Sequence, residues 1–553
     1  MNKLWYGDNL TIMQGMKKHS VDLIYLDPPF NSKQNYNLLY TTMTGKPVPE
    51  QVEAFCDTWQ MDAQKEAIAK SMPVLMREYG VDDFYVDFWK LWMNALRKTQ
   101  PQLLAYLIFM VQRMLHMKSI LRPTGSIYLH CDPTASHYIK VMMDGIFGHD
   151  NFQNEIVWKR TFAHGGASRW GDIHDTILFY SASKHYKWNR VEQAYDQSYL
   201  DSKYRYKDER GTYRLVVLTG PGITKGASGQ EWRGYNPTTA GRHWAVPKRA
   251  IAALKEDGIS IPKDLHDQLE LLYQHGFIRF PQKKGGAVGV PEFKLHLSGG
   301  QPIQDMILDV PPINSQAKER MGYPTQKPIA LLDRIVQASS DPGDVIFDPF
   351  CGCGTTIYSA VKNGRKWIGC DIAILSVKLV REVLTETYRQ VEGVHYAVDG
   401  IPTSVDGAQE LFNKDPSTFQ NWFVERVGGF PMAKKSADRG IDGRIYFETR
   451  TGLREMMIQV KGGKHVRPTD VRDLRGVLER EDGADLAGFL SITPPTKAMM
   501  SEAAEAGTFE YGGVRYPRIQ FLTTEDVLVH KREFHMPTRI NTKLTTGQGS
   551  LAL

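Results

Sequence analysis

The sequence is short of cysteine, of long apolar runs and of excess charge of one sign. It has five cysteines, Cys56, Cys131, Cys351, Cys353 and Cys370, with no C-x-x-C pair. That excludes a disulfide scaffold and a zinc knuckle of ordinary spacing. The longest apolar run, LLAYLIFM at Leu103–Met110, is far shorter than the roughly 20 residues that span a bilayer. The opening MNKLWYGDNL lacks the basic-then-apolar layout of a signal peptide. No G-x-x-x-x-G-K-S/T loop occurs, so ATP-driven motion is not indicated, and no convincing internal repeat is present. Lys and Arg total 68 against 62 Asp and Glu, a net charge of +6. So weak a basic balance permits a nucleic-acid partner without demanding one. The remainder is ordinary globular composition: 553 residues, 42% hydrophobic and 24% charged. That length accommodates roughly three to four folding units. The expectation is a soluble, cytoplasmic protein in a reducing compartment, with no membrane partner.

Along the chain, VDLIYL at Val21–Leu26 is a short apolar run halted by Asp27-Pro28-Pro29-Phe30, and it reads as a central parallel strand. A long helix is expected from Asp87 to Leu121, stopped by Arg122-Pro123-Thr124-Gly125. A strand at Ser126–His130, a helix at Tyr138–Phe147 and strands at Glu155–Trp158 and Thr176–Tyr180 follow. Between 187 and 317 the helical period fades. Trp, Tyr, Lys and Arg interleave there, as in Glu231-Trp232-Arg233-Gly234 and Gly241-Arg242-His243-Trp244. This is either a loop-rich insertion with surface aromatics or a region facing nucleic acid, with cations on phosphate and rings on bases.

Alternation resumes with a helix at Pro328–Ser339, a strand at Asp344–Phe347, a glycine loop and helix at Cys351–Lys362, a strand at Lys366–Cys370 and a helix from Ala373 to Tyr388. The stretch 391–405 is rich in Gly, Pro and Ser and reads as a linker. Beyond it, a helix at Ser417–Val427 and a hairpin at Gly440–Val460 open a second compact α/β unit. The expected fold is therefore α/β with a Rossmann-like sheet. Its parts are 1–186, an insertion at 187–317, 318–390, the linker, and a smaller α/β domain at 406–553.

Two segments carry chemistry. Asp348-Pro349-Phe350-Cys351-Gly352-Cys353-Gly354-Thr355-Thr356 follows a strand and opens a helix. Its glycines let backbone approach a ligand that side chains would block. Asp371 ends the next strand, where an acid accepts hydrogen bonds from ribose hydroxyls. A lone G-x-G turn also serves plain strand–helix packing; the paired acid favours an adenosine ligand. Asp27-Pro28-Pro29-Phe30 also sits at a strand's carboxyl end, and by itself it is equally a rigid turn. An exocyclic aromatic amine is a poor nucleophile because its lone pair is delocalised into the ring. A carboxylate and a neighbouring carbonyl can hold its two hydrogens and orient that lone pair. Asp27, the carbonyl fixed by Pro28, and Pro29 with the stacking ring of Phe30 suit that task.

In these segments the sequence resembles the β group of amino-methylating DNA methyltransferases, which use S-adenosylmethionine on adenine N6 or cytosine N4. Trp5-Tyr6-Gly7-Asp8-Asn9-Leu10 and Tyr323-Pro324-Thr325-Gln326-Lys327-Pro328 match further segments of that family, and the likeness covers 1–390. It implies that Asp8, Thr325, Gln326, Lys327, Asp348, Phe350, Gly352, Gly354, Thr355 and Asp371 frame the donor, and that 187–317 recognises the target. Asp rather than Ser before Pro-Pro favours adenine in double-stranded DNA, reached by base flipping. Cytosine N4 and a non-DNA amine, in RNA or protein, stay open, as does a homodimer.

The C-terminal part holds Asp438-Arg439-Gly440-Ile441-Asp442-Gly443 and Ile458-Gln459-Val460-Lys461. Residues two apart on a strand share a face, so Gln459 and Lys461 point together. Asp442 and Gln459 would bind Mg²⁺, with Glu425 completing the metal's surroundings, and Lys461 would help position or activate a water. This set resembles the Mrr-like branch of the PD-(D/E)xK restriction endonucleases over 405–530. Gln459 stands where the wider superfamily has an acid, and an amide oxygen holds Mg²⁺ less strongly than a carboxylate. A domain that only binds DNA is the alternative.

Overall fold

The structure is a computed structural model that describes residues 1–29, 35–38, 40–42, 52–56, 59–162, 170–281, 288–314, 317–321, 323, 325–432, 440–450, 452–463, 466–481, 483–538, 542–546 and 549–552. Phe30, Pro324, Asp438 and Arg439 lie outside the described residues. The chain forms two compact units, Met1–Asn189 with Gln304–Leu553, and Arg190–Ile303.

The first unit is built on a nine-stranded sheet. Its strands are β1 (Asn2–Tyr6), β2 (Val21–Leu26), β3 (Leu121–Cys131), β4 (Phe152–Lys159), β5 (His174–Ser181), β6 (Met306–Ile307), β7 (Val345–Asp348), β8 (Lys366–Asp371) and β9 (Tyr396–Asp399). Their order across the sheet is β6-β4-β5-β3-β2-β7-β8-β1-β9. Strands β3 to β9 of that order are parallel, and β5 runs antiparallel to both β3 and β4. Every residue of β2 is buried, as expected for a strand covered on both faces.

Sequence-distant strands are neighbours at the centre. β2 pairs with β7 through Leu23↔Ile346 and Ile24↔Phe347, and β1 pairs with β8 through Tyr6↔Asp371. Asp22, 1% exposed, reinforces the first pairing. It accepts the Val345 amide at 3.0 Å and meets Arg122 and Lys187 at 3.3 Å each. The carboxyl ends of β1, β2, β7 and β8 therefore lie along one edge, the place where open α/β sheets hold ligands.

Two readings from the sequence need correction here. The single helix expected from Asp87 to Leu121 is two helices, Asp83–Thr99 and Pro101–Ile120. Gln100, the residue before Pro101, leaves the helical region (φ −145°, ψ 65°), because a proline disfavours helical backbone just ahead of it. The second helix carries the Leu103–Met110 run and is apolar around most of its circumference, so it is buried in the core. Among the described residues no helix is long and apolar enough to cross a membrane. The stretch read as a linker is not a free connection either. Its Tyr396–Asp399 forms β9, the sheet's last strand, pairing parallel with Asn2–Trp5.

The C-terminal lobe has its own five-stranded sheet, in the order β10 (Phe430–Pro431), β11 (Gly443–Thr449), β12 (Gly452–Lys461), β13 (Ala484–Ser491) and β14 (Ile519–Thr523). β11 and β12 form the expected antiparallel hairpin, while β12, β13 and β14 are parallel. The helix Pro416–Arg426 buries Phe419, Trp422 and Phe423 completely. They join one apolar core that also contains Leu4, Trp367 and Val377 of the large sheet's lobe.

The second unit holds a four-stranded antiparallel sheet (Tyr206–Asp208, Gly211–Val217, Glu292–His296, Ile278–Arg279) and the helices Lys248–Glu256 and Leu265–Gln274. Trp232 and Trp244 are 8% and 3% exposed and pack with Leu254, Leu269 and Phe293. The Trp232 and Trp244 segments therefore do not present their rings for base stacking. Arg233 is spoken for by Glu270, and Arg242 by the Thr219 hydroxyl and carbonyl.

Candidate active site

A cavity of about 430 Å³ opens at the carboxyl edge of the large sheet. It brings together Asp8, Asp27, Pro29, Thr325, Lys327, Asp348, Phe350, Gly352, Thr355 and Asp371. The catalytic and donor segments inferred from the sequence thus share one space.

Asp27 follows β2 directly. Lys327 Nζ donates to its Oδ2 at 2.5 Å and to the Thr325 carbonyl at 3.2 Å. The other carboxylate oxygen, Oδ1, is buried and has no hydrogen-bond partner among the described residues. A buried acceptor left unpaired is costly unless a ligand fills it. Pro28 is buried behind Asp27. Beneath them a buried chain runs from the Tyr25 hydroxyl to His130 Nδ1 (2.8 Å), and from His130 Nε2 to Asp175 Oδ2 (3.1 Å).

The donor-type loop is held by its own acids. Asp348, 3% exposed, accepts the Phe350 amide at 3.0 Å. Asp371 accepts the amides of Gly352 and Ala373 at 2.8 Å each. Burial lifts the Asp348 carboxyl to about 7, helped by the charges of Asp27 and Asp371. Burial also lifts Asp371 to about 6 against the pull of its amide donors, although its side chain keeps some accessible surface. Gly354 stands behind the cavity rather than in its wall. It precedes the helix Thr355–Lys362 at φ +89°, and an added Cβ would meet Val380 Cγ2 at 2.8 Å and Tyr358 at 2.9 Å. At Gly352 (φ +49°) a Cβ would crowd the Tyr323 ring at 3.2 Å.

One residue of the expected donor set turns away. Gln326 does not line the cavity. Its amide braces its own loop, accepting from the Met321 amide and donating to the Glu319 carbonyl. Other groups were missed. Arg113, 6% exposed, reaches the cavity from the apolar helix Pro101–Ile120. It donates to Asp8 and to Asn9 Oδ1 at 2.7 Å each, and Asn9 donates to the Pro349 carbonyl at 2.7 Å. A lone arginine inside an apolar helix was the available signal, since a buried charge needs a built partner. Arg113→Ala is expected to cost about 2 kcal/mol of stability through its lost hydrogen bonds to Asp8 and Asn9; urea unfolding at neutral pH reads it. Trp59, Phe109 and Phe350 form an apolar wall, with ring centroids 4.8 Å apart for the first pair and 6.2 Å for the second. Such a wall suits a planar ring.

From the C-terminal lobe, Asp442 and Glu425 line the same cavity. Asp442 Oδ2 accepts the Val460 amide at 2.7 Å, and the Asp442 amide donates to the Ile458 carbonyl at 2.8 Å, which puts Asp442 beside Gln459 as the hairpin was expected to do. Gln459 Oε1 is buried without a partner among the described residues. Lys461 is 3.8 Å from Asp470 and 40% exposed. Among the described residues no three His, Cys, Asp or Glu side chains gather closely enough to hold a metal ion.

The family model described as DNA methylase matches residues 21–382, and that described as restriction endonuclease matches 422–510. Among curated proteins the chain is 32% identical over 279 residues to the type II methyltransferase M.EcaI of Enterobacter cloacae, covering 50% of this chain and 56% of that one. It is 26% identical over 376 residues to the StyLTI Mod subunit, a type III restriction-modification enzyme of Salmonella typhimurium, covering 64% and 49%. The chain thus spans about half the length of these relatives. Among solved structures, the cytosine-N4-specific PvuII DNA methyltransferase is 12% identical with a TM-score of 0.29, over 69% of this chain and 85% of that one. With the matched model spanning both Asp27 and the 348–356 loop, the chain belongs to the N6/N4 DNA methylase family and carries a restriction-endonuclease segment behind the methylase.

Proposed function

We propose that the chain moves a methyl group from S-adenosylmethionine to the N6 amine of adenine in double-stranded DNA, and that its C-terminal lobe cuts DNA with Mg²⁺. The observation that carries the first part is Asp27 Oδ1, buried, unpartnered among the described residues and in the cavity of the 348–356 loop. The cavity fits the donor: at Gly352 a Cβ would crowd Tyr323 in the cavity's lining, and the carboxylates of Asp8, Asp27, Asp348 and Asp371 face one cationic ligand. When bound, the donor supplies a methyl made electrophilic by its sulfonium. Lys327 holds Asp27 Oδ2 and so turns Oδ1 to the amine. Asp27 Oδ1 takes one amine hydrogen, the Pro28 carbonyl takes the other, and the lone pair is left facing the donor. Asp27 Oδ1 would accept the proton that the nitrogen gives up in exchange for the methyl group, the donor's sulfur keeping the electron pair of the broken S–CH₃ bond. The apolar wall of Trp59, Phe109 and Phe350 offers a planar ring an apolar surface. A base in a duplex reaches such a cavity only by leaving the stack.

Donor affinity is expected to rise with pH. Asp348 and Asp371 have folded-state values of about 7 and about 6, above the ordinary value of 3.8. Their contribution to stability is complete below the unfolded value and is lost as pH rises through 6 to 7. A bound cation favours the charged forms and offsets that loss. Titration calorimetry should find donor affinity roughly tenfold higher above this range than below it, with proton release on binding.

For cleavage, Asp442 and the orphaned Gln459 Oε1 offer two oxygens, and Mg²⁺ ordinarily keeps several waters and takes only one or two protein carboxylates. When bound, the ion would supply Lewis-acid stabilisation of the phosphate. Asp442 and Gln459 would hold it, and Lys461 would orient the attacking water. The neutral amide of Gln459 in place of an acid favours a second reading, in which this lobe only binds DNA. The test of the acceptor is labelled methyl transfer with duplex DNA, RNA and protein in competition. Label in DNA alone supports the reading, and label in RNA or protein alone overturns it.

A further inference from the structure

The helix Pro416–Arg426 belongs to the C-terminal lobe, yet one of its faces forms a wall of the donor cavity. Ser417, Gln420, Asn421 and Glu425 line that cavity, while Phe419, Trp422 and Phe423 point into the core. An amphipathic helix normally turns its polar stripe to solvent; this one turns much of it to a cavity. The helix is tied to β1 by the Tyr6 hydroxyl, which donates to the Thr418 carbonyl at 3.3 Å. Glu425 lies near the Ile374 amide, three residues past Asp371, and feels the charges of Lys378 and Asp371. Its Oε2 is buried and has no partner among the described residues. Burial, with Asp371 adding to it and Lys378 opposing, raises its carboxyl to about 8. These surroundings are those of the methyl-donor loop.

We propose that Glu425 is a donor-binding residue: together with Asp371 it holds the ribose hydroxyls of S-adenosylmethionine, so that the C-terminal lobe closes the methyl-donor pocket. The inference rests on the donor site described above and extends it to a second lobe. Two acids suit a diol, because each hydroxyl has a proton to donate and a carboxylate offers several lone pairs. The helix that carries Glu425 also precedes the Asp442 hairpin in the chain.

The test uses the full chain and titration calorimetry with S-adenosylmethionine and with S-adenosylhomocysteine, which shares the ribose but lacks the sulfonium charge. Glu425→Ala should weaken both ligands by about threefold to tenfold, the range for a single hydrogen bond. Glu425→Gln, nearly isosteric and checked by thermal melting, should weaken both by less. The Glu425→Ala penalty should vanish with a 2′,3′-dideoxyribosyl analogue of S-adenosylhomocysteine. Equal binding by wild type and both Glu425 variants, with binding lost in Asp371→Ala, would overturn the inference and leave the donor site standing. A penalty confined to S-adenosylmethionine, or one that persists with the dideoxy analogue, would overturn the ribose assignment. If wild type binds neither ligand, the donor site itself is misassigned and the inference goes with it.

Discussion

Asp27→Ala is expected to lower methyl transfer about a thousandfold while changing donor affinity little. The carboxylate contacts the acceptor nitrogen only while that nitrogen turns toward tetrahedral geometry. Its loss therefore raises the barrier rather than weakening the ground state. Asp27→Asn separates the two oxygens. It keeps an acceptor near the position of Oδ1 but loses the charge that Lys327 binds at 2.5 Å, and it should fall between Ala and wild type. Single-turnover transfer of labelled methyl, with donor affinity measured in parallel, reads both. Normal transfer by Asp27→Ala would remove the role assigned to this side chain.

Lys461→Ala is expected to abolish Mg²⁺-dependent cutting of unmethylated DNA, by about a thousandfold or more, and to leave methyl transfer intact. Strand alternation places Lys461 on the face of Gln459, and the Asp442–Val460 hydrogen bond of 2.7 Å brings the acid to the same place. Lys461 is partly exposed and makes a long contact to Asp470 at 3.8 Å, so its truncation should not unfold the lobe. Plasmid nicking and linearisation assays distinguish the outcomes. If wild type and variant bind DNA equally and neither cuts it, the lobe is a DNA-binding module.

The residues read most clearly from the sequence are those fixed by local chemistry. Asp27 and the 348–356 loop end buried strands, and a strand's end is marked by the proline or glycine that stops it. Parallel pairing of β2 with β7 then brought the two motifs to one cavity. Residues placed by long-range packing were not legible. Arg113 sits in a helix whose apolar character said only that it is buried; its link to Asp8 is a tertiary contact. Trp232 and Trp244 mimic a nucleic-acid face in sequence because aromatic and basic residues alternate there, yet the rings close the second unit's own core. Gln326 shares a motif with Thr325 and Lys327 but turns to its loop. Glu425 was paired with Asp442 by nearness along the chain, and both line the cavity; its nearness to Ile374 and Asp371 comes from the shared core of the two lobes and was not legible.

The central claim is that one cavity aligns an exocyclic amine held by Asp27 with a methyl donor held by the 348–356 loop. Its most direct test is mass spectrometry of nucleosides from duplex DNA incubated with the protein and methyl-labelled S-adenosylmethionine. The expected result is labelled N6-methyladenine from wild type and almost none from Asp27→Ala. Absence of any labelled nucleoside from wild type, with the donor bound, would contradict it.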